Sequence, residues 1–556
     1  MYIPNAAALS GTAKLWTGNI DNDWSKTGNW CKGSVPTSTD DATIPNVTNS
    51  PVIGGSAAVK DISLAGGATL TVANGGSLTL NGTFANSGAV TIQDGVNFVQ
   101  GNSSSYGGSG TFTVEKSITN IANGYRDVSS PVATTVADLA DDFTVFGQNG
   151  VNCWYSYSPY PNVQVYDEAA NNALSTPTGN YFTGWLSRTG NSNTLSPMQG
   201  FAIRTYAGAP FTLDFTGTPH NDTLNRAITN TPSASTSQDG WNFVGNPYPS
   251  NIDWVTAAAL NSSSIDGNYY VFNTTGEYTG NWGTCNASGV ASGLNGISAT
   301  IASGQGFFVK TSAGGTFTLN NTVRTATAAN FYKAGVQSNE VRLLLSGQGN
   351  SDEIVAYTDA NASQNEDKGL DAVKIPAGST VYMGYVSQGK DYAINVLDEI
   401  TENTELPLIM RVSENGNYSL TANALNLTDL TAYLKDKTTG TLTNLETRNI
   451  VLQLNANENY NNYSIVFAAK VVSGINESAE NAVSIYSNKN QVTVLRNKNT
   501  PATITIYNTM GQQLTEETTT SRKTTIELNG SQAWYAIVKV KEEGINKVSK
   551  VFISNK

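Results

Sequence analysis

A single histidine, His220, and three cysteines are the only imidazole and thiol ligands in 556 residues. Zinc and haem enzymes draw on more of both, so that chemistry is not expected. Charge is scarce too. Only 13% of residues are Asp, Glu, Lys or Arg, against about 25% in an ordinary soluble protein. The balance is acidic, 31 Lys+Arg against 43 Asp+Glu for a net −12. That excludes a nucleic-acid binder, because phosphate recognition needs concentrated positive charge. No run approaches the roughly 18–20 apolar residues that span a bilayer, so no transmembrane segment is expected. Met1-Tyr2-Ile3-Pro4-Asn5 lacks the basic and apolar regions of a signal peptide. Two alternatives follow: a cytosolic chain, or one written without its leader. The low charge and the wealth of Asn, Thr, Gly and Tyr favour an extracellular, outer-surface location. Cys31, Cys153 and Cys285 allow at most one intramolecular disulfide, of open pairing, and lie too far apart for a CxxC motif. Buried or partly buried structural cysteines are the expectation.

What the chain does have is strand signal. With 39% hydrophobic residues and 9% aromatics it can form cores. Short runs rich in Val, Ile, Thr, Tyr and Phe alternate with Gly, Asn, Asp and Ser. The fold class expected is all-β: tandem β-sandwich or β-solenoid-like units ending in a small sandwich. From about residue 51 to 115 the runs recur every eight to twelve residues with Gly-containing turns, which reads as a short β-solenoid or a meander. Six intervals follow: 1–118 as that solenoid or meander, 119–228 and 229–328 as two copies of one β unit, 329–470 as a β-sandwich, 471–481 as a linker, and 482–556 as a C-terminal sandwich. The duplication rests on two alignments. Gly124-Tyr125-Arg126-Asp127-Val128 matches Gly240-Trp241-Asn242-Phe243-Val244, and Gln199-Gly200-Phe201-Ala202-Ile203 matches Gln305-Gly306-Phe307-Phe308-Val309.

Charge separates the last interval from the rest. Residues 1–325 hold 11 basic and 19 acidic side chains, residues 326–481 hold 10 and 19, and residues 482–556 hold 10 and 5. A basic tail on an acidic body suggests a module with its own partner.

Three features mark that tail: the turn Tyr507-Asn508-Thr509-Met510-Gly511, the segments Leu528-Asn529-Gly530 and Tyr535-Ala536-Ile537-Val538, and the ending Lys547-Val548-Ser549-Lys550-Val551-Phe552-Ile553. Together they resemble the type A sorting domain of type IX secretion substrates in Bacteroidota. The resemblance implies an Ig-like sandwich that directs its cargo across the outer membrane, with the type IX translocon and its shuttle proteins as partners. It also implies removal by a sortase and attachment to a surface lipopolysaccharide. The sorting-signal residues it implies are Asn508, Gly511, Leu528, Gly530, Tyr535, Val538, Lys547 and Lys550. The family opens this domain with a Pro-Asn-Pro-like turn, where this chain reads Tyr486-Ser487-Asn488-Lys489-Asn490. In the body, Trp16-Thr17-Gly18, Asn29-Trp30 and the segment from Gly240 to Trp254 are similar to stretches of other Bacteroidota surface proteins.

No catalytic constellation stands out. His220, in a polar turn, reads as a solvated loop histidine. A Ser-His-Asp triad would need it as base, yet no GxSxG elbow is present. Asp40-Asp41 and Asp141-Asp142 are sequence neighbours, and adjacent strand residues point to opposite faces. An enzyme is therefore not expected, and no cofactor is. Calcium is the one metal with candidate ligands, in the loops Asp21-Asn22-Asp23 and Asp359 to Asp371. Trp16, Trp24, Trp30, Tyr155, Tyr157, Tyr160, Trp185, Tyr269 and Tyr270 pose the question of aromatic sugar platforms, although such residues usually pair within sheets. The leading expectation is a secreted structural or adhesive surface protein. Self-association into filaments or binding of surface glycan would extend it. The alternative is a carbohydrate-binding or polysaccharide-degrading surface protein.

Overall fold

The computed structural model describes residues 13–554, apart from 103, 120–123, 154, 156, 173–182, 206–209, 233–238, 277–278, 294–295, 328–338, 377–378, 448–449, 471–482, 529–533 and 543–544. The linker 471–481 and Gly530 fall outside the described residues. The chain is all-β, with 52% strand and 5% helix, and forms two compact units, Met1–Ala468 and Ala469–Lys556.

Unit one begins as a three-sided solenoid of parallel strands, so the meander alternative does not apply. One face stacks Ala42–Ile44, Ile62–Leu64, Thr83–Asn86 and Ser105–Gly107. A second stacks Val52–Ile53, Thr69–Val72, Ala89–Ile92 and Thr111–Ile118. The third stacks Ser56–Val59, Ser77–Leu80 and Asn97–Gln100. Alternation puts every second side chain inside. Like residues therefore pile into columns such as Leu70, Val90 and Phe112, or Ala57, Leu78 and Phe98, all buried. The strand Thr111–Ile118 then pairs antiparallel with Phe211–Thr216, so the second face continues into the next part of the chain and shares one core with it.

Two similar sheets follow. Tyr125–Val128 pairs antiparallel with Phe201–Arg204, setting Tyr125 opposite Arg204. Trp241–Gly245 pairs with Gly306–Lys310, setting Trp241 opposite Lys310. Those are corresponding residues of the aligned segments, so the register is the same. In each sheet the closing strand is flanked next by a further antiparallel strand, Val163–Tyr166 or Tyr269–Thr274. Each sheet also carries a short helix after its opening strand, Val136–Ala140 or Trp254–Leu260. Asp253 caps the second, accepting the Thr256 amide at 2.8 Å. The remainder, from Glu340 to Ala469, is a long sheet from Leu442–Asn444 at one edge to Ile450–Leu454 at the other. Ten strands in succession must curl to stay packed. Here Leu434, Met410, Met383, Leu345, Tyr418 and Leu454, from strands along its length, share one core.

Unit two is a seven-stranded sandwich. Val483–Asn488, Gln491–Arg496 and Lys523–Glu527 form one sheet. Gln513–Thr519, Ala502–Asn508, Trp534–Glu542 and Ile545–Ile553 form the other, in that order. Val492, Val494, Ile504, Ile506, Ala536, Val538 and Val540 fill the space between them.

Candidate functional site

The strands Trp534–Glu542 and Ile545–Ile553 place their residues on alternating faces. Ala536, Val538 and Val540 are buried while Tyr535 and Lys541 are exposed. Pairing sets Tyr535 opposite Phe552, Ile537 opposite Lys550, Lys539 opposite Val548 and Lys541 opposite Asn546. Tyr507 of the neighbouring strand lies opposite Ile537 and extends the row. The result is an outward face that mixes aromatic, aliphatic and lysine side chains. At its centre the Tyr535 and Phe552 rings lie 5.2 Å apart, and the Lys550 ammonium sits 4.2 Å from the Tyr535 ring centre. A cation over a ring keeps the lysine charge beside the aromatic pair without a carboxylate.

Exposure singles out this unit. Among the described residues thirteen large apolar side chains are exposed, and Tyr486, Leu495, Met510, Leu514, Tyr535, Val548 and Phe552 are seven of them. Scattered exposed apolar residues need no explanation, but a concentration of them marks an interaction surface.

The eight motif residues divide by role. Asn508 shapes the hairpin: its side-chain oxygen accepts the amides of Met510 and Gln512, both at 3.0 Å. Gly511 adopts φ +82° in the same turn, leaving Met510 at the tip with 81% of its surface exposed. Leu528 and Val538 belong to the core. Tyr535 and Lys550 sit together on the outward face. Lys547 is half-buried and opposite Val540, whose side chain points inward, so three residues of strand carry it to the other side from Lys550. Gly530 lies outside the described residues. Phe552 and Val548 complete the face; they, and Met510 at the hairpin tip, were not picked out from the sequence. The signal for Phe552 and Val548 was there, as apolar residues in phase with Lys550 instead of with the buried set.

The other candidates have structural occupations. Asp21 accepts the Asp23 amide and the Asn29 side chain and pairs with Lys26, while Asp23 accepts the Ser25 amide. Asp359 accepts the Asn361 amide, and Asp371, pushed up to about 6 by burial, accepts the amides of Asp367 and Val396. These carboxylates hold their own loops. Among the described residues, the group of three acids within ligand reach is instead Asp141, Asp142 and Asp214. There burial, with the Asp214 carboxylate beside it, pushes Asp142 up to about 7. The three cysteines are free thiols, with Cys153 and Cys285 buried. His220 is half-buried instead of solvated, with Nδ1 3.2 Å from the Pro247 carbonyl oxygen, and burial lowers its pKa. Trp16, Trp24, Trp30, Tyr269 and Tyr270 are all buried, which removes them as flat sugar platforms. Tyr155 is exposed, and Tyr157, Tyr160 and Trp185 are partly so.

Residues 15–467 match the family described as a domain of unknown function, DUF8693. The chain belongs to the DUF8693 family. No curated protein matches it. The DUF8693 match ends one residue before the first compact unit does, at Ala468. Solenoid, paired sheets and curled sheet therefore form one inherited body, and the sandwich with the outward aromatic–lysine face lies beyond it.

Proposed function

We propose that this is a non-catalytic cell-surface protein with a structural or adhesive role, exported through its C-terminal sandwich by a type IX secretion system. The observation that carries the reading is the division of labour at residue 468. A large, mostly β body of one family is followed by a separate, basic module that, among the described residues, exposes more large apolar side chains than the whole body does. A module of that kind suits a protein partner better than a second structural role, since aromatic and lysine side chains in one patch supply contact area and steering charge together. The translocon and its shuttle proteins are that partner in this reading. The body supports the same view: its buried polar groups brace loops and sheets against one another.

The test is a fusion. Residues 469–556 attached to an inert reporter should send it to the surface of a Bacteroidota host with a working type IX system. The reporter should stay in the periplasm of a translocon-deficient strain. Periplasmic retention in both strains sinks the proposal.

A further inference from the structure

We propose that Lys374 and Asp352 condense to an intramolecular amide, a covalent cross-link inside the curled sheet. Among the ion pairs between described residues, two are sealed from water on both sides. Lys374–Asp352 exposes 3% and 4% of its side chains, and Arg496–Glu542 exposes 1% of each. An arginine stays charged and is no nucleophile, whereas a buried lysine gives up its proton readily. Lys26, Lys60, Lys390 and Lys435 meet their acids in the open, where water holds both charges.

Three strands set the geometry. Asp352 lies in Asn350–Thr358, Lys374 directly follows Ala372–Val373, and Met383 lies in Val381–Ser387. The Lys374 amide donates to the Asp391 carbonyl at 2.7 Å, which anchors the lysine at its root. Its Nζ lies 2.5 Å from Asp352 Oδ1 and 3.4 Å from the Glu353 carbonyl oxygen. Holding a nucleophile against its target in this way supplies an effective concentration of about 10⁵ M or more. Burial disfavours both charges, and it holds the Asp352 carboxyl above its ordinary value in spite of the ammonium beside it. One ammonium proton passes to Oδ1, which leaves a neutral amine and a carboxylic acid. Nζ then attacks Cγ. Negative charge develops on Oδ2, to which the Met383 amide donates at 2.8 Å, as a backbone donor does in an oxyanion hole. The Glu353 amide donates to the departing Oδ1 at 2.9 Å. The Cγ–Oδ1 bond breaks, Oδ1 takes a second proton from the nitrogen and leaves as water, and the third proton stays on the new amide. One neutral group replaces two buried charges, which removes the desolvation penalty of the pair. The ion pair is the reactant and the amide the mature state. The link closes the chain from 352 to 374, across the acidic loop. The inference concerns the DUF8693 body and stands apart from the export reading.

Mass spectrometry of the full chain tests it. Chain that has folded and been held at neutral pH should be lighter by one water. Denaturation and trypsin digestion should then give residues 343–368 joined to residues 369–390, uncut after Lys374. Chain held throughout in guanidinium should keep its full mass. So should Lys374→Arg, which keeps the charge without the nucleophile, and Asp352→Ala. Full mass in the folded chain, or loss of water with the two peptides separate, overturns the proposal. Should neither variant fold, the joined or separate peptides of the parent chain decide it alone.

Discussion

The Ser129 amide donates to the Gly304 carbonyl at 2.8 Å, and the same bond is made in reverse by the Gly245 amide to the Met198 carbonyl at 3.0 Å. Ser129 corresponds to Gly245 in the duplicated segments, and Met198 to Gly304. The two sheets thus grip each other reciprocally, as two subunits do across a two-fold axis. The bridges from Val128 to Gln305 and from Gln199 to Val244 repeat the pattern. The two similar sheets meet in an internal interface of matched residues.

That grip depends on glycine. A Cβ on Gly200 would meet the Val244 carbonyl oxygen at 2.6 Å, and one on Gly306 would meet the Phe243 ring at 2.8 Å and the Val128 carbonyl oxygen at 3.0 Å. Gly200→Ala and Gly306→Ala should each destabilise the body by about 1–3 kcal/mol, the cost of overpacking a filled core. Chemical denaturation followed by far-UV circular dichroism measures it. Unchanged midpoints for both would mean the strands part without penalty.

Arg324 ties the solenoid to the second sheet. It is buried and donates to the Ser250 hydroxyl at 3.0 Å and to the Phe98 carbonyl, and its guanidinium lies 4.8 Å from the Tyr248 ring centre. Only a planar fork reaches those sites together. Arg324→Lys should cost about 2–3 kcal/mol although charge is kept. Hydrogen exchange should then accelerate first in 97–100 and 246–252, where the joint lies.

How much of this was legible in the sequence follows from range. Period-two alternation announces a strand locally, so Thr69–Val72 or Ser77–Leu80 could be read one residue at a time. Whether neighbours pair parallel or antiparallel depends on where the next coil lands, which left solenoid and meander open. The duplication was readable because Gln199-Gly200-Phe201 recurs at Gln305-Gly306-Phe307. The grip between Ser129 and Gly304 was not, because backbone bonds carry no residue signature. Lys547 and Lys550 look like one basic motif in line. Only strand geometry puts them on opposite sides and brings in Phe552.

Lys374 and Asp352 form a buried ion pair, and the second Asp352 oxygen accepts the Met383 amide at 2.8 Å. Removing one partner strands the other charge, so Lys374→Met should cost about 3–5 kcal/mol. Lys374→Met with Asp352→Leu should cost less than Lys374→Met alone, although the Met383 amide is then orphaned. A double-mutant cycle in urea reads the difference directly.

Acid should loosen the C-terminal sandwich. Burial works against the charge of Glu542, but the Thr500 hydroxyl and the Arg496 guanidinium, 2.9 Å away, outweigh it and hold the carboxyl below its ordinary value. A carboxyl depressed in the folded state contributes stability above its unfolded pKa of about 4.3 and loses it as pH falls through the folded value. Exchange protection of residues 483–496 and 534–542 should therefore fall below about pH 4.5. Glu542→Gln should lower protection at neutral pH and flatten that dependence. A wild-type profile as flat as the variant's would remove the pair from the account.

The outward face separates recognition from folding. Tyr535 and Phe552 expose 47% and 49% of their surfaces, whereas Val538, between them and the opposite sheet, exposes none. Substitutions on an open face usually stay within about 0.5 kcal/mol, while truncation in a core costs several times that. Tyr535→Ser with Phe552→Ser should therefore leave the melting transition of the sandwich nearly in place and abolish surface delivery of the reporter fusion. Lys550→Glu should slow delivery without unfolding, because it reverses the charge held over the Tyr535 ring. Val538→Ser should unfold the sandwich and stop delivery for that reason alone. If the paired serine variant reaches the surface as the parent does, recognition lies elsewhere on the module, and the turn bearing Met510 becomes the next surface to change.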